Sequence, residues 1–288
     1  MSFQKVTWEY KGVRFPLPVT KENLDAMPSY HIRDDDIVVA SFGKTGSTWL
    51  LRVIFKILEA AGEIKDGVEY ECRDVGPIEM IRPSATQPGY IRQADMPSPR
   101  VLKTHLPIQF APLGVSKPGK KVKVLVPMRN PKDTVVSLFH FAHSMWKLRD
   151  FKATIPWDEF AQNFITGKVG FGDYCDHLLG WWQMRDDPHF LFIKYEDMKR
   201  DLSGSIKTIV TFLEVDLNES TMKDVAEACT FDNMKAALCK SEIPEIRMLV
   251  RKGIVGDWKN MFSPEQSKAF DAWYEKKLGG TGINFEFE

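Results

Sequence analysis

Short apolar runs alternate with longer segments of helical periodicity along most of the 288-residue chain. Four of the short runs are predicted to be strands: Ile37–Val39, Val101–His105, Val122–Met128 and Phe190–Tyr195. The periodic segments are predicted to be helices that run from about Thr45, from Pro131 to about Met145, over Trp157–Thr166, Gly172–Arg185, Leu202–Leu213 and Glu219–Cys229, and from Ser263 to about Leu278. Strands alternating with helices predict an α/β fold, with a central parallel β-sheet covered by helices on both faces. No repeat or linker divides the chain, so we expect one domain over residues 1–288.

Local capping signals support the predicted starts of two helices, and two further segments are predicted to be loops or irregular chain. Asn130 before Pro131 predicts an N-cap, and Ser263 with Gln266 predicts a capping box. Residues 1–36 are predicted to wrap over the surface before the first strand. Residues 62–99 are rich in Pro and Gly, and a loop of this length predicts a functional wall or lid.

A glycine-containing loop, Lys44–Thr48, joins the first predicted strand to the first long helix. The helix start offers unpaired backbone N–H groups, to which the loop adds a lysine and hydroxyl groups. The loop therefore predicts anion binding, although an ordinary strand-to-helix turn is the alternative. It departs from the P-loop pattern, because Val38 stands where the first glycine belongs and Gly46 follows the lysine.

Composition narrows the class of function. The 39 Lys and Arg residues balance 39 Asp and Glu residues, so nothing in the net charge favours nucleic acid or an anionic membrane. The four cysteines, Cys72, Cys175, Cys229 and Cys239, have no metal-binding or disulfide spacing, which favours a reducing, cytoplasmic location. Neither a signal peptide nor a run of 18 apolar residues is evident, so we expect no membrane attachment.

Polar side chains follow the predicted strands at their carboxyl ends, where ligands bind in open parallel sheets. These are Lys44, Lys103, His105, Arg129 and Tyr195. Few carboxylates accompany them, which favours a multiply anionic substrate handled without a metal. Each residue alone has a structural alternative. In particular, His105 could be a structural histidine, Arg129 a surface charge, and the hydroxyl of Ser137 could bond its own helix.

Taken together, the motifs resemble those of the cytosolic sulfotransferases over essentially the whole chain. The matching stretches, in the family's order, are Lys44-Thr-Gly-Ser-Thr-Trp49, Lys103-Thr-His-Leu-Pro107, Arg129-Asn-Pro-Lys-Asp133 with Ser137, Tyr195-Glu-Asp-Met198, Thr230-Phe231 and Arg251-Lys-Gly-x-x-Gly-Asp-Trp-Lys259. The resemblance implies transfer of a sulfuryl group from 3′-phosphoadenosine 5′-phosphosulfate (PAPS) to a hydroxyl or amine of a small phenol, steroid or other alcohol. It implies PAPS as cofactor and 3′-phosphoadenosine 5′-phosphate (PAP) as product, with no metal and a role in small-molecule metabolism.

The resemblance also implies roles for individual residues. His105 would be the general base, Lys44 would stabilise the leaving phosphate, and Lys103 would support the sulfuryl group or the acceptor. The P-loop-like phosphosulfate loop would comprise Lys44, Thr45, Gly46, Ser47 and Thr48. The 3′-phosphate would contact Arg129, Ser137, Arg251, Lys252 and Gly253. Adenine would contact Trp49, Tyr195, Cys229, Thr230 and Phe231. The acceptor would contact Lys103, His105, Phe141, Ile78 and Ile81.

The chain departs from the family pattern in four places. Phe42-Gly43 replaces Tyr-Pro before the lysine, and Cys229 stands where threonine is common. The segment between Met234 and Arg251 is short for the lid, which predicts a more open acceptor site. The family's dimer motif, Lys-x-x-x-Thr-Val-x-x-x-Glu, reads Lys259-x-x-x-Ser263-Pro264-x-x-x-Lys268 here. We therefore expect a monomer or weak homodimer.

Two other functions are compatible with parts of the pattern. A P-loop nucleotide kinase is opposed by Val38 and by the lack of a clear Mg²⁺ carboxylate. A nucleotide-binding protein without catalytic activity is opposed by the joint presence of Lys44 and His105.

Overall fold

The computed structural model describes residues 6–64, 76–119, 121–151 and 154–288. Cys72, the first five residues of the predicted wrapping segment and residues 65–75 of the predicted wall lie outside these ranges. Within them, no helix is both long enough and apolar enough to cross a membrane.

The four predicted strands are confirmed to within two residues, and they form one parallel sheet. They are β3 (Ile37–Ala40), β4 (Val101–Thr104), β5 (Lys123–Met128) and β6 (Phe190–Lys194), in the order β4-β3-β5-β6. In register, Val38 of β3 lies opposite Leu102 of β4 and Val124 of β5. All four carboxyl ends therefore meet at one edge of the sheet.

The amino-terminal segment contains a hairpin that the sequence analysis did not predict. Strands β1 (Thr7–Tyr10) and β2 (Val13–Pro16) pair antiparallel. Lys11 and Gly12 connect them with φ of 48° and 79°, the left-handed pair of a two-residue hairpin turn. The alternating Trp8-Glu9-Tyr10 pattern was too short to be recognised without this turn.

Thirteen α-helices occur within the described ranges: α1 (Lys21–Ala26), α2 (Ser47–Ala60), α3 (Gly89–Arg92), α4 (Leu113–Ser116), α5 (Pro131–Leu148), α6 (Trp157–Ile165), α7 (Tyr174–Trp182), α8 (Tyr195–Arg200), α9 (Leu202–Leu213), α10 (Glu219–Ala228), α11 (Phe231–Cys239), α12 (Pro244–Arg247) and α13 (Pro264–Leu278). All seven predicted helices are confirmed. The six helices that were not predicted are α8, α11 and α12 and the three short helices α1, α3 and α4. Both cap predictions are also confirmed. Asn130 Oδ1 accepts a hydrogen bond from Asp133 N at 2.8 Å, and Ser263 and Gln266 form a reciprocal capping box.

Two apolar clusters lie on opposite faces of the sheet, because alternate residues of a strand point to opposite sides. Val38 and Ala40 belong to one cluster, which includes residues of α5, α6, α7 and α13. Ile37 and Val39 belong to the other, which includes residues of α2, α9 and α10. Every residue of β3 is buried. The predicted α/β architecture, with helices on both faces of a parallel sheet, is confirmed.

Candidate active site

A cavity of about 360 Å³ opens at the carboxyl edge of the sheet. It brings together residues that lie far apart in the sequence. The predicted site residues that line it are Lys44, Gly46, Ser47, Thr48, Trp49, Lys103, His105, Arg129, Ser137, Phe141, Tyr195, Phe231, Arg251, Lys252 and Gly253. Thr45, Cys229, Thr230, Ile78 and Ile81 are not among the lining residues.

The loop between β3 and α2 forms one wall of the cavity and owes its shape to two left-handed residues. Lys44 has φ of 72° and Gly46 has φ of 107°. A Cβ on Gly46 would lie 2.9 Å from Cδ2 of Tyr195, so the close approach of loop and ring requires glycine. The Thr45 hydroxyl donates to the carbonyl of Phe42 at 2.9 Å and stabilises the loop itself. The unpaired N–H groups of the first turn of α2 thus lie beside the cavity, as anion binding requires.

His105 follows β4 and has a defined tautomer. Its Nδ1 lies 2.8 Å from the carbonyl oxygen of Ser41. A carbonyl can only accept, so Nδ1 carries the hydrogen and Nε2 carries the lone pair. Within the described ranges Nε2 has no hydrogen-bond partner. Burial and the positive charge of Lys103 lower the pKa of His105 to about 3. The imidazole is therefore neutral near pH 7, and its unprotonated Nε2 lies at the cavity.

Glu79 holds the end of β4 in place, a role that the sequence analysis missed. Its carboxylate accepts from the His105 backbone N–H at 2.8 Å and from the Thr104 hydroxyl at 2.9 Å. Glu79 is fully buried, and burial raises its pKa to about 7 despite these hydrogen bonds. A glutamate two residues beyond Pro77 carries no sequence signal for this contact, since it depends on long-range packing.

Two lysines present amines to the same cavity. Lys44 Nζ donates to the carbonyl of Leu249 at 3.0 Å and lies 4.3 Å from the centre of the Phe141 ring. Burial, together with the nearby charges of Arg129, Lys103 and Arg251, lowers the pKa of Lys44 to about 7. Burial also lowers the pKa of Lys103 to about 8. Near pH 7 Lys44 is therefore only partly protonated and can gain a proton when an anion enters, whereas Lys103 is mostly charged.

Arg129 and Ser137 are positioned by α5. Arg129 Nη2 donates to the carbonyl of Ile254 at 2.9 Å, and its guanidinium carbon lies 4.2 Å from the centre of the Tyr195 ring. Its Nε is buried without a hydrogen-bond partner in the described ranges. The Ser137 hydroxyl makes no bond to its own helix there, unlike that of Ser144, which donates to His140 O at 2.9 Å. Both residues keep donors available for a ligand.

Arg251 and Lys252 share one buried carboxylate. Asp257, 2% exposed, lies 2.6 Å from Arg251 Nη2 and 2.7 Å from Lys252 Nζ. Burial acts to raise its pKa, but hydrogen bonds from Lys252, Asn260 and Arg251 lower it to about 2. Asp257 therefore stays ionised and preorganises the two cations. Arg251 Nε is buried with no partner among the described residues.

Buried carboxylates also fix the loop that carries these cations, and the sequence analysis assigned them no role. Asp133 accepts from the backbone N–H groups of Gly256 at 2.8 Å and Trp258 at 3.0 Å. Glu196 instead fixes the turn after Arg129, where it accepts from the backbone N–H of Asn130 at 2.8 Å. Both carboxylates stand inside the motifs quoted above, and this position in a motif was the one sequence signal that could have pointed to their structural roles.

Aromatic rings form a second part of the cavity. The Trp49 indole donates to the backbone carbonyl of Cys229 at 2.7 Å, which fixes the ring. Cys229 itself is fully buried. Phe231 packs against Gly253, whose φ is +67°; a Cβ there would lie 2.2 Å from the Phe231 ring. Thr230 caps α11, since its hydroxyl accepts from Asn233 N. The indole of Trp49 and the ring of Phe231, held in these positions, can stack on a flat base.

Ile78 and Ile81, which were predicted to contact the acceptor, are not among the residues that line the cavity. Ile78 is fully buried in the core, and its N–H donates to the carbonyl of Lys103 at 2.8 Å. The residues of this segment that do line the cavity are Gly76, Pro77, Met80 and Arg82. The segment lacks a period, so the sequence could not show which side chains face inward. The short lid segment also reaches the cavity, through Leu238, Glu245, Ile246, Leu249 and Val250.

Charge in the cavity is strongly one-sided. Among the described lining residues the Lys and Arg side chains are Lys44, Arg52, Arg82, Lys103, Arg129, Arg149, Arg251 and Lys252. Glu245 is the single carboxylate in that set. No group of three or more His, Cys, Asp or Glu side chains in the described ranges is placed to hold a metal ion. The cavity therefore fits a multiply anionic ligand.

Comparisons with known proteins agree with this geometry. A family model described as "Sulfotransferase domain" matches residues 34–282. Human sulfotransferase 1C2 is 34% identical over 281 residues, covering 94% of this chain and 92% of that protein. Zebrafish (Danio rerio) sulfotransferase 6B1 is 36% identical over 262 residues, covering 91% and 84%.

Solved structures share the fold. Mouse sulfotransferase SULT7A1 complexed with PAP superposes with a TM-score of 0.78 at 32% identity, covering 96% of each chain. Retinol dehydratase, crystallised with androsterone and PAP, gives a TM-score of 0.80 at 23% identity, covering 98% of this chain and 94% of that one, and supports the fold alone. The resemblance, fold class and enzyme class expected from the sequence motifs are confirmed. The chain belongs to the sulfotransferase family.

Proposed function

We propose that this sulfotransferase uses His105 as the general base and Lys44 as the cation at the leaving phosphate, with PAPS as donor and a hydroxyl or amine of a small molecule as acceptor. The observation that carries the proposal is the placement of both groups at one cavity. His105 presents an unprotonated Nε2, and Lys44 lies among three other cations.

The residues present fit the donor. The Nε atoms of Arg129 and Arg251 are buried and have no hydrogen-bond partner among the described residues, so they, with the Ser137 hydroxyl, offer donors to a 3′-phosphate. Lys252 and the backbone N–H of Gly253 would complete the set of donors to the 3′-phosphate. The loop Lys44–Thr48 would hold the 5′-phosphosulfate, and Trp49, Tyr195 and Phe231, with the Cys229–Thr230 backbone, would surround the base. PAPS supplies a sulfuryl group attached to a phosphate that can leave.

The chain's own groups account for each proton and charge. His105 Nε2 accepts the proton of the acceptor hydroxyl as the acceptor oxygen bonds to sulfur. Lys44 would place its ammonium group beside the phosphate that leaves and would stabilise the negative charge that develops there. Lys103 stabilises the sulfuryl oxygens. Transfers of this kind depend chiefly on positioning and charge stabilisation, because their transition states are loose.

Several broader expectations belong to the same proposal. Residues 1–288 would act as one domain, in a reducing, cytoplasmic location. The protein would act as a monomer or weak homodimer, since Pro264 and Lys268 alter the family's dimer motif. Lysine and arginine would supply the positive charge, so activity should persist in a chelator.

The test is transfer of labelled sulfate from PAPS to a panel of phenols, steroids, bile alcohols and amines. We expect labelled product with at least one acceptor class. Activity that instead required Mg-ATP would favour the kinase alternative, and PAP binding with no transfer to any acceptor would favour a binding protein.

Replacing Gly253 with alanine should weaken PAP binding about tenfold. The new Cβ would lie 2.2 Å from the Phe231 ring and would displace it, and stacking on a base is worth about 1–3 kcal/mol. Calorimetric titration with PAP measures the effect. Gly62→Ala is the matched control, because Gly62 also has a positive φ (+73°) but has no atom within 4 Å of the new Cβ. Equal PAP affinity in Gly253→Ala and wild type would contradict the assignment.

PAP binding should take up about one proton near pH 8 and almost none near pH 6. In the free protein the pKa of Lys44 is about 7, so the amine is largely neutral near pH 8. A bound phosphate raises that pKa and favours the ammonium form. Calorimetry in buffers with different ionisation enthalpies measures the uptake. Lys44→Met should remove most of it; an unchanged uptake in that variant would assign the proton elsewhere.

A further inference from the structure

The chain leaves the sheet directly after β4, and side chains bond its backbone from there on. At the end of the strand the Ser41 N–H still donates to the carbonyl of Thr104, at 3.0 Å. Beyond it, the N–H of His105 donates to Glu79 at 2.8 Å, and the N–H of Leu106 donates to the Thr104 hydroxyl at 3.1 Å. Buried backbone groups must be paired, so these side chains fix the course of the chain through the proposed base.

Helix α7 pairs the two remaining groups, which are the carbonyls of His105 and Leu106. His177 Nε2 lies 3.0 Å from the His105 carbonyl oxygen, and Trp181 Nε1 donates to the Leu106 carbonyl at 3.2 Å. His177 and Trp181 are four residues apart, so one face of the helix presents both rings to two successive carbonyls. His177 is 3% exposed and Trp181 is fully buried. Neither is among the described residues that line the cavity, so both act from behind its wall.

The partner of His177 defines its tautomer. A carbonyl can only accept, so Nε2 of His177 carries the hydrogen. Burial lowers the pKa of His177 to about 4, so the ring is a neutral donor near pH 7. The ring also packs edge-on against Phe42, with the two ring centres 5.4 Å apart. Packing and hydrogen bonding together hold the donor at the carbonyl.

His105 is thereby held at three points by distant parts of the chain. Glu79 accepts from its N–H, His177 donates to its carbonyl, and the Ser41 carbonyl accepts from its Nδ1, over 2.8, 3.0 and 2.8 Å. The first two contacts fix the peptide groups on either side of Cα, and the third fixes the rotation of the ring. A general base must lie within hydrogen-bond reach of the proton that it takes, so a small rotation at Cα would move Nε2 out of position.

We propose that His177 is a positioning residue for sulfuryl transfer, because its hydrogen bond to the His105 carbonyl keeps Nε2 of His105 directed at the acceptor hydroxyl. The inference rests on the proposed function, since His177 acts through His105 as the general base. His177 itself lies behind the cavity wall and exchanges no proton with the acceptor. Its loss should therefore slow the chemical step without weakening the donor site.

Replacing His177 with leucine removes the donor at similar volume and should lower kcat about 10–100-fold, the effect expected when a reacting group moves by about 1 Å. Turnover is measured with PAPS and the fastest-reacting phenol of the acceptor panel. PAP affinity, measured by calorimetry, should be nearly unchanged, because leucine still packs against Phe42. His177→Gln places an amide N–H near the same carbonyl and should restore kcat to within about threefold of wild type. His189→Leu is the control, because His189 precedes β6 at the opposite edge of the sheet, and it should leave kcat unchanged.

A double-mutant cycle shows whether His177 acts through the base. In the His105→Ala background, His177→Leu should change the residual kcat by less than about twofold, because the group that it positions is absent. An equal loss in both backgrounds would overturn the inference, and so would a wild-type kcat in His177→Leu beside an impaired His105→Ala. If His105→Ala keeps wild-type kcat, or wild-type protein sulfates no acceptor, the proposed function fails and this inference fails with it.

A measurement on wild-type protein does not depend on how well any variant folds. Nitrogen NMR spectroscopy with isotope-labelled histidine should show opposite neutral tautomers near pH 7, with the hydrogen on Nδ1 in His105 and on Nε2 in His177. A hydrogen on Nδ1 alone in His177 would leave Nε2 nothing to donate to the His105 carbonyl and would overturn the inference.

Discussion

Replacing His105 with alanine should lower kcat about 10²–10⁴-fold while leaving PAP affinity nearly unchanged. The variant removes the only group assigned to accept the acceptor's proton. Nε2 is ready for that role, because the Ser41 carbonyl fixes the opposite nitrogen as the donor. Turnover with a fixed phenol and calorimetric titration with PAP measure the two quantities. His31→Ala, at an exposed histidine, is the control and should keep full turnover.

The pH profile gives the same prediction an independent readout. Since the pKa of His105 is about 3 in the ligand-free protein, the imidazole stays neutral and unprotonated over the usual assay range. As the pH is lowered, turnover should therefore show no loss centred near pH 6.5, the usual histidine pKa. A His105→Ala variant that retained wild-type kcat would remove His105 from the chemistry, whatever its hydrogen bonds.

The second large effect is expected at Lys44, where arginine should lower kcat about 10²–10³-fold. The amine is confined between the Leu249 carbonyl at 3.0 Å and the Phe141 ring at 4.3 Å. A guanidinium is larger, keeps its charge at all accessible pH values and spreads that charge over a plane, so it cannot place a compact cation at the bond that breaks. Steady-state kinetics measure the loss.

Lys56→Arg is the matched control, because Lys56 lies on α2 and pairs with Glu59 away from the cavity. It should leave kcat unchanged. PAP affinity in Lys44→Arg should fall much less than kcat, since Arg129 and Arg251 still bind the other phosphate. If PAP affinity fell as steeply as kcat, Lys44 would be a general phosphate anchor rather than a group that acts in the transition state.

Much of the fold could be predicted because the signals are local. The β-branched run at β3 and the apolar period of α2 specify a strand and a helix without reference to the rest of the chain. The caps at Asn130 and Ser263 depend on residues three positions away. The carboxyl ends of parallel strands meet at one edge, so Lys44, Lys103, His105 and Arg129 could be placed together before the structure was known.

The features that were missed depend on contacts between distant parts of the chain. Ile78 is held by a backbone bond to Lys103, and this bond decides which side chains of its segment face the cavity. Glu79 has no special sequence pattern, and its role arises because packing places it against the backbone of His105. Asp257 stands inside a motif quoted from the sequence, but its ion pair with Arg251 depends on how the loop packs. Glu245 accepts a hydrogen bond from the backbone N–H of Ser84, 161 positions away, and periodicity could not reveal this contact.

The most direct measurement of the central claim is a single turnover with protein in excess over labelled PAPS and a saturating phenol, in the presence of a chelator. We predict that PAP and the labelled sulfate ester appear at the same rate and in equal amounts, and that His105→Ala slows both together. Release of PAP with label in free sulfate rather than in the ester, or no reaction until Mg²⁺ and ATP are added, would contradict the account.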